Sequence, residues 1–164
     1  MFGFKKLIDL EGPNPSEPNV SVILTTFNQA NLVSCVINGI CRNARDSFEL
    51  IVVDDGSTDE SLVRVKEFVA IHQSDFEKVK VVSKKNSGQT SSRIFGVSLS
   101  QGEFLAFLDA DDLWDSQKLA LQIDFLKNTK ADMVHCSSNI INSKGDEIGI
   151  IKSFTKHYLF KLFL

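Results

Sequence analysis

Short apolar runs alternate along the chain with stretches whose apolar residues recur every three or four positions. "VSVILTT" (20–26), "FELIVV" (48–53), "VKVV" (79–82), "EFLAFL" (103–108) and "DMVHC" (132–136) are brief, mostly rich in β-branched residues and bounded by polar or turn-forming residues, which predicts strands. Between them, Leu32, Cys35, Val36 and Ile40 share one helical face, and Leu62, Val65, Phe68, Val69 and His72 share another. Ile94, Val97 and Leu99 mark a third helix, and Leu119, Ile123 and Leu126 a fourth that opens after Ser116. Ser57 followed by Glu60 fits a capping box for the second helix. Strand alternating with helix implies right-handed crossovers and an α/β domain with a mainly parallel sheet flanked by helices. Continuously apolar strands suit such two-sided burial better than alternating ones. "NSKGDE" (142–147), between "SSNII" and "IGII", predicts a hairpin turn.

The ends of the chain follow a different pattern. "MFGFKKLIDL" is expected to be an N-terminal extension, with a weak interfacial helix presenting Phe2, Phe4, Leu7 and Ile8 as the alternative. "EGPNPSEPN" (11–19) holds all three prolines and predicts an extended linker. The expected organisation is therefore an extension and linker over 1–19, a ligand-binding domain over 20–150, and the start of a further region over 151–164.

Composition narrows the function classes. With 43% apolar and 24% charged residues, the chain is neither disordered nor a membrane bundle. No apolar stretch approaches the roughly 20 residues that span a bilayer, and no cleavage signal follows the two N-terminal lysines. A net charge of -3 from 18 basic and 21 acidic residues, with no dense Lys/Arg cluster, argues against a nucleic-acid partner. Cys35, Cys41 and Cys136 are odd in number and lack CxxC spacing, so reduced thiols in a cytoplasmic setting, filling the core, are expected. His72, His135 and His157 do not cluster in sequence and are read as surface or core residues.

In an open α/β sheet, ligands bind beyond the carboxyl ends of the strands. The first strand delivers Thr25, Thr26, Phe27 and Asn28 there, the second Asp54, Asp55, Gly56 and Ser57, and "FLAFL" delivers Asp109, Ala110, Asp111 and Asp112. Neither GxGxxG nor GxxxxGK[ST] is present at these exits. Asp109 and Asp111 lie two apart, so in extended or turning backbone both carboxylates can face one side. Such hard oxygen pairs suit Mn²⁺ or Mg²⁺ bridging to substrate phosphates. The competing reading is a solvated turn in which Asp111, Asp112 or Asp115 caps the next helix.

The ordered set "SVILTTFN", "IVVDDGSTD", "NSGQTSSR" and "GEFLAFLDADD" resembles the family 2 glycosyltransferases of the GT-A fold, over roughly residues 20 to 150. The resemblance implies transfer of a sugar, with inversion, from a nucleotide-diphosphate donor of the UDP-sugar kind to an acceptor that is a sugar, a lipid-linked sugar or a protein. It implies that Thr25 and Phe27 meet the nucleotide, with Phe27 keeping the stacking face of the Tyr found in many members. It implies that Asp55 accepts a hydrogen bond from uracil while Asp54 braces the loop and Gly56 permits the turn. Asp109 and Asp111 match the DxD, the last aspartate binding the metal and the first facing the ribose or the metal shell. Gly88 and Arg93 fall in the family's N-x-G-x-x-x-A-R-N region, where Ile94 replaces the usual Asn. A structural ion pair is the alternative role for Arg93.

The family's catalytic base lies well downstream of the DxD, and "SFTKHYLFKLFL" has no matching acidic pair; Asp146 and Glu147 sit in a polar turn. The expectation is a donor-binding part truncated before the base, with the apolar residues Tyr158, Leu159, Phe160, Leu162, Phe163 and Leu164 awaiting a partner. A nucleotide-sugar binding fragment without catalysis is the alternative, and a receiver-like phosphoryl-transfer domain a more distant one. A cytoplasmic protein associated peripherally with the inner face of a membrane fits polysaccharide assembly, a common task in this family.

Overall fold

The computed structural model describes residues 4–11, 19–42, 48–72, 75–76 and 78–153, the first of these segments through its backbone. A sheet of five strands is built from β1 (Phe4–Glu11), β2 (Val20–Thr26), β3 (Phe48–Asp54), β4 (Lys78–Lys84) and β5 (Phe104–Asp109). Their order is β1-β4-β3-β2-β5, with β4, β3, β2 and β5 mutually parallel and β1 antiparallel to β4. The helices are α1 (Val33–Cys41), α2 (Ser61–Ile71), α3 (Gln89–Leu99) and α4 (Lys118–Thr129).

Every residue of β2 and β3 is buried, as their unbroken apolar runs require of central strands covered on both faces. One face packs α1 through Val33, Val36, Ile37 and Ile40, α2 through Val65 and Val69, and α4 through Leu119 and Ile123, against Val22, Leu24, Leu50, Val52 and Val81. The other face sets Ile51, Val53 and Val82 against Phe95 and Leu99 of α3. Gly96 lets α3 come close: a Cβ there would stand 2.4 Å from Ile23 Cγ2.

The path of the chain positions the site. β2, β3 and β4 step outward in one direction, and the crossover through α3 then returns to lay β5 on the opposite side of β2. That reversal opens a crevice beyond the carboxyl ends of β2 and β5, the topological switch point where such sheets bind ligands.

At the strands' other ends a buried carboxylate ties the turn before β5 to the sheet. Glu49, fully buried, accepts from Ser21 Oγ (2.7 Å), Lys80 Nζ (3.1 Å) and the Gln101 N–H (2.5 Å). Its charge is compensated by an ion pair and hydrogen bonds, the condition for burying it.

The chain divides into two compact units, Met1–Ile123 and Asp124–Leu164. In the second, β6 (Ser138–Ile141) and β7 (Glu147–Ile151) form an antiparallel hairpin. Asn142 Oδ1 accepts the Lys144 and Asp146 N–H groups (2.8 and 3.0 Å), and Gly145 takes φ 86° in the turn. No helix among the described residues is long and apolar enough to cross a membrane.

Several expectations change. Phe4–Glu11, expected to be an N-terminal extension with an interfacial helix as the alternative, is an edge strand in its backbone, pairing with β4 along its length apart from a shift between Lys6 and Ile8. Residues 132–136 form no strand; Met133 is 76% exposed, so burial offers the segment nothing. In α1 the buried stripe is shifted by one, leaving Leu32 and Cys35 exposed and burying Val33 and Ile37. In α3, Ile94 and Val97 face outward and Ser92 and Gly96 are the buried positions. Cys136 is also exposed, and Cys41 alone of the three thiols is partly withdrawn from solvent. The 158–164 apolar tail lies outside the described residues, as do His157 and most of the proline linker.

Candidate functional site

The polar exits do converge. A cleft of about 240 Å³ is lined by Thr25, Thr26, Phe27 and Gln29 after β2, by Asp55 after β3, by Asn86, Gly88, Gln89 and Ser92 around the start of α3, and by Asp109, Ala110 and Asp111 after β5. All belong to the first compact unit.

Two loops form its wall and are stitched together by side chains accepting backbone N–H groups. Asn28, at φ 53°, donates its N–H to Ser57 Oγ (2.9 Å) and accepts the Thr58 N–H on Oδ1 (2.8 Å). The Gln29 N–H meets Ser61 Oγ (2.7 Å), and the Ala30 N–H meets Asp59 Oδ2 (3.1 Å). Ser57 and Glu60 therefore do not make the expected capping box. Asp59 accepts the Ser61 N–H (2.9 Å) at the head of α2, and Glu60 instead pairs with Arg64 (3.2 Å). Gly56 (φ 78°) turns against the next loop, where a Cβ would lie 2.9 Å from the Asn86 nitrogen.

Asp54 and Asp55, adjacent in sequence, have separate tasks. Asp54 accepts the Ser57 N–H (3.1 Å) and the Ser83 hydroxyl (2.7 Å), bracing the loop as expected. Asp55, only 4% exposed, accepts from the buried Lys84 ammonium and from the N–H groups of Ser87 (3.0 Å) and Gly88 (2.8 Å). Burial works to raise its pKa, and the Lys84 ammonium with the two N–H donors outweighs it, holding the carboxyl below the ordinary 3.8. Gly88 sits at φ 89° with open space around its Cα, so backbone conformation is what requires glycine there. Its residue opens α3, and the first turn of that helix borders the cleft.

At the β5 exit the two aspartates of the pair differ. Arg93 Nη2 donates to both oxygens of Asp109 (2.8 and 2.6 Å), and Thr25 Oγ1 donates to Oδ1 (3.2 Å). Asp111 is exposed at the cleft and its side chain has no hydrogen-bond or ion-pair partner among the described residues. Burial, then the charges of Asp111 and Asp109, pushes the Asp112 carboxyl up. Asp115 accepts the Gln117 N–H (2.9 Å) ahead of α4, the capping task. Phe27 is 44% exposed at the cleft, so it is not core. Trp114 packs on the core beneath Lys118, whose Nζ stands 4.2 Å from the ring centre.

Two buried polar atoms beside this cleft have no hydrogen-bond partner among the described residues: Thr26 Oγ1 and Arg93 Nε. Buried groups are seldom left so, and a ligand's oxygens are one way to satisfy them. Sequence spacing singles out neither Gln29, Asn86, Gln89 and Ser92 in the cleft lining nor Lys84 behind Asp55. A lysine ending a strand reads as solvated, and only the β3–β4 pairing, with Asp54 opposite Ser83, brings Asp55, the residue that follows β3, beside Lys84.

Comparison with known proteins now bears on this geometry. Residues 21–163 match the family model described as Glycosyl transferase family 2. An uncharacterized glycosyltransferase of Rickettsia conorii is 31% identical over 154 residues, which is 92% of this chain and 25% of that protein. Among solved structures, S. aureus TarS 1-349 in complex with UDP-GlcNAc aligns with a TM-score of 0.61 at 28% identity, over 70% of this chain and 32% of the other. The mannosyltransferase PcManGT from Pyrobaculum calidifontis, in complex with GDP-Man and Mn²⁺, aligns with a TM-score of 0.64 at 25% identity, over 82% of this chain and 39% of the other. The chain thus spans about a quarter to two fifths of the length of these relatives.

Proposed function

The chain belongs to glycosyl transferase family 2, and on that premise we propose that its cleft binds the nucleoside diphosphate of a sugar donor, in the first place a UDP-sugar, together with a divalent ion held chiefly by Asp111. One observation carries the reading. Of the three carboxylates lining the cleft, Asp55 and Asp109 are engaged by cationic side chains and Asp111 is not.

The residues present fit such an ion. A lone hard oxygen donor at an open cleft, with a second carboxylate two residues away, suits Mn²⁺ or Mg²⁺, which keep waters and share phosphate oxygens. When bound, the ion would stabilise charge on the leaving diphosphate as a Lewis acid. Arg93 fixes the Asp109 carboxylate and lowers the net negative charge that a diphosphate would otherwise meet. The N-terminus of α3, opening at Gly88 on the same cleft, adds a favourable dipole for phosphate.

Base recognition falls to Phe27 and Asp55. The exposed ring of Phe27 offers a stacking face, typically worth about 0.5–1.5 kcal/mol. Asp55 lines the cleft beside its Lys84, Ser87, Gly88 and Ser92 donors, so a ring N–H of the base would share the carboxylate with them. TarS with UDP-GlcNAc favours uracil, and PcManGT with GDP-Man makes guanine the alternative to test.

The reaction of the whole protein would be displacement at the anomeric carbon with inversion. The acceptor hydroxyl oxygen bonds to that carbon, the bond to the diphosphate oxygen breaks, and a base outside the described cleft takes the hydroxyl proton. The acceptor is a sugar, a lipid-linked sugar or a protein.

Titration calorimetry of UDP with and without Mn²⁺ tests the donor reading. UDP should bind more tightly with Mn²⁺, and Asp111→Asn should remove the metal-dependent gain, about 10-fold or more in Kd, while leaving metal-free binding in place. Equal affinity with and without Mn²⁺, or no UDP binding, would refute it, and tighter GDP binding would reassign the base.

A further inference from the structure

Away from the cleft, where α1 and α2 lead into β3 and β4, three potential metal ligands come together from two parts of the chain. Cys41 is the last residue of α1, His72 follows α2, and Asp75 lies in the turn after it. One ligand atom from each of the three lies within 4.8 Å of the other two. Both helices carry the chain from the cleft back toward the starts of β3 and β4, which puts their C-terminal ends away from the nucleotide site.

We propose that Cys41, His72 and Asp75 form a second metal site, selective for Zn²⁺ and independent of the donor cleft. The donor set is the argument. Thiolate and imidazole favour zinc over the hard ions suited to Asp111, and a carboxylate oxygen completes three protein ligands with a fourth position for water. A thiolate and a carboxylate also balance the charge of the divalent ion.

Two of the three ligands are already oriented. The His72 ring stacks on Phe68, with centroids 4.1 Å apart and planes 11° from parallel. The Asp75 N–H donates to the His72 carbonyl (2.9 Å), and His72 Nδ1 lies 2.8 Å from Asp75 Oδ2. Bonds of about 2.0–2.3 Å set tetrahedral ligands roughly 3.3–3.8 Å apart. Cys41, His72 and Asp75 are all partly or fully solvent-accessible, so an ion has a way in. The bound ion would clamp the ends of α1 and α2, and their packing against β2, β3 and β4, from outside the cleft.

Zinc calorimetry and cobalt spectroscopy on the Asp111→Asn protein, in which the cleft ligand is removed, test this. One equivalent of Zn²⁺ should bind and raise the thermal midpoint, and Co²⁺ should give a thiolate charge-transfer band. Cys41→Ser should abolish the band, and His72→Gln and Asp75→Asn should each weaken Zn²⁺ by at least about 10-fold. Cys35→Ser, at an exposed thiol outside the cluster, should keep both signals. With Asp111 intact, Cys41→Ser should leave Mn²⁺-dependent UDP binding unchanged, which separates this site from the donor reading. No zinc binding, a band that survives Cys41→Ser, or one lost in Cys35→Ser would overturn it.

Discussion

Asp55 ties the start of α3 to the end of β3 before any ligand arrives. Its two oxygens gather Lys84, Ser87 and Gly88 in a place where solvent cannot substitute for them. In Asp55→Asn the amide has one acceptor oxygen for these donors, and its NH₂ turns a donor toward another donor. The expected loss is about 1.5–3 kcal/mol, the scale of hydrogen bonds to a charged group. The pH dependence has a definite sign. Because the folded carboxyl lies below its ordinary 3.8, the stabilisation is fully present above that value and is lost as pH falls through the lower folded value. Urea unfolding of wild type and Asp55→Asn should thus show a constant gap between pH 7 and pH 5 that narrows toward pH 3. A gap that widened on acidification would contradict the assignment. Part of this was legible: an acidic pair at a strand exit signals a site. The bracing by Asp54 was legible only through the resemblance, and the grip of Asp55 on Lys84 depends on register, which sequence spacing does not carry.

Helix α3 shows why apolar periodicity misleads where an element lies close to the sheet. The pattern points to Ile94 and Val97, yet Ile94 is 65% exposed, and the positions facing inward are Ser92 and Gly96. Close approach needs small side chains, so part of the contacting face carries no hydrophobic signal. In α1 the shift by one residue has another cause: Leu32 is the N-cap and lies outside the helix proper, which leaves Val33 to begin the buried stripe. A prediction follows from the geometry of two glycines. Gly96→Ala gains about 1 kcal/mol of helix propensity, but its Cβ meets the buried Ile23 side chain, and overpacking of that kind costs about 1–3 kcal/mol. Gly102→Ala has no such gain and meets backbone, with the Ser21 nitrogen at 2.5 Å and the Val20 carbonyl carbon at 2.6 Å. Chemical denaturation should show both variants destabilised, Gly102→Ala the more so. The reverse order would mean that the turn before β5 is more yielding than the α3–β2 contact.

For the molecule as a whole, the architecture was readable because its central strands are continuously apolar and every cleft group but those around α3 sits at a strand exit. The order β1-β4-β3-β2-β5 was not, since β1 resembles an extension in sequence and its pairing is set by the open edge of β4. For Arg93 the sequence leaves open a carboxylate near the nucleotide, a ligand contact or a structural ion pair; α3 lays it over the β5 exit, where it pairs with Asp109. On the proposed reading no carboxylate lining the cleft is left for the acceptor: Asp55 and Asp109 are held by Lys84 and Arg93, and Asp111 is the proposed metal ligand. A general base must reach the acceptor hydroxyl within hydrogen-bonding distance while remaining free to take its proton. The 164-residue chain should therefore bind a UDP-sugar in the presence of Mn²⁺ and yet release UDP to simple sugar acceptors at no more than the background rate. A coupled UDP-release assay, run beside the calorimetry on the same preparation, measures this. Acceptor-dependent release lost in Asp111→Asn would show that a base is supplied from residues beyond those lining the cleft. Release without acceptor would show that water enters where the acceptor hydroxyl belongs.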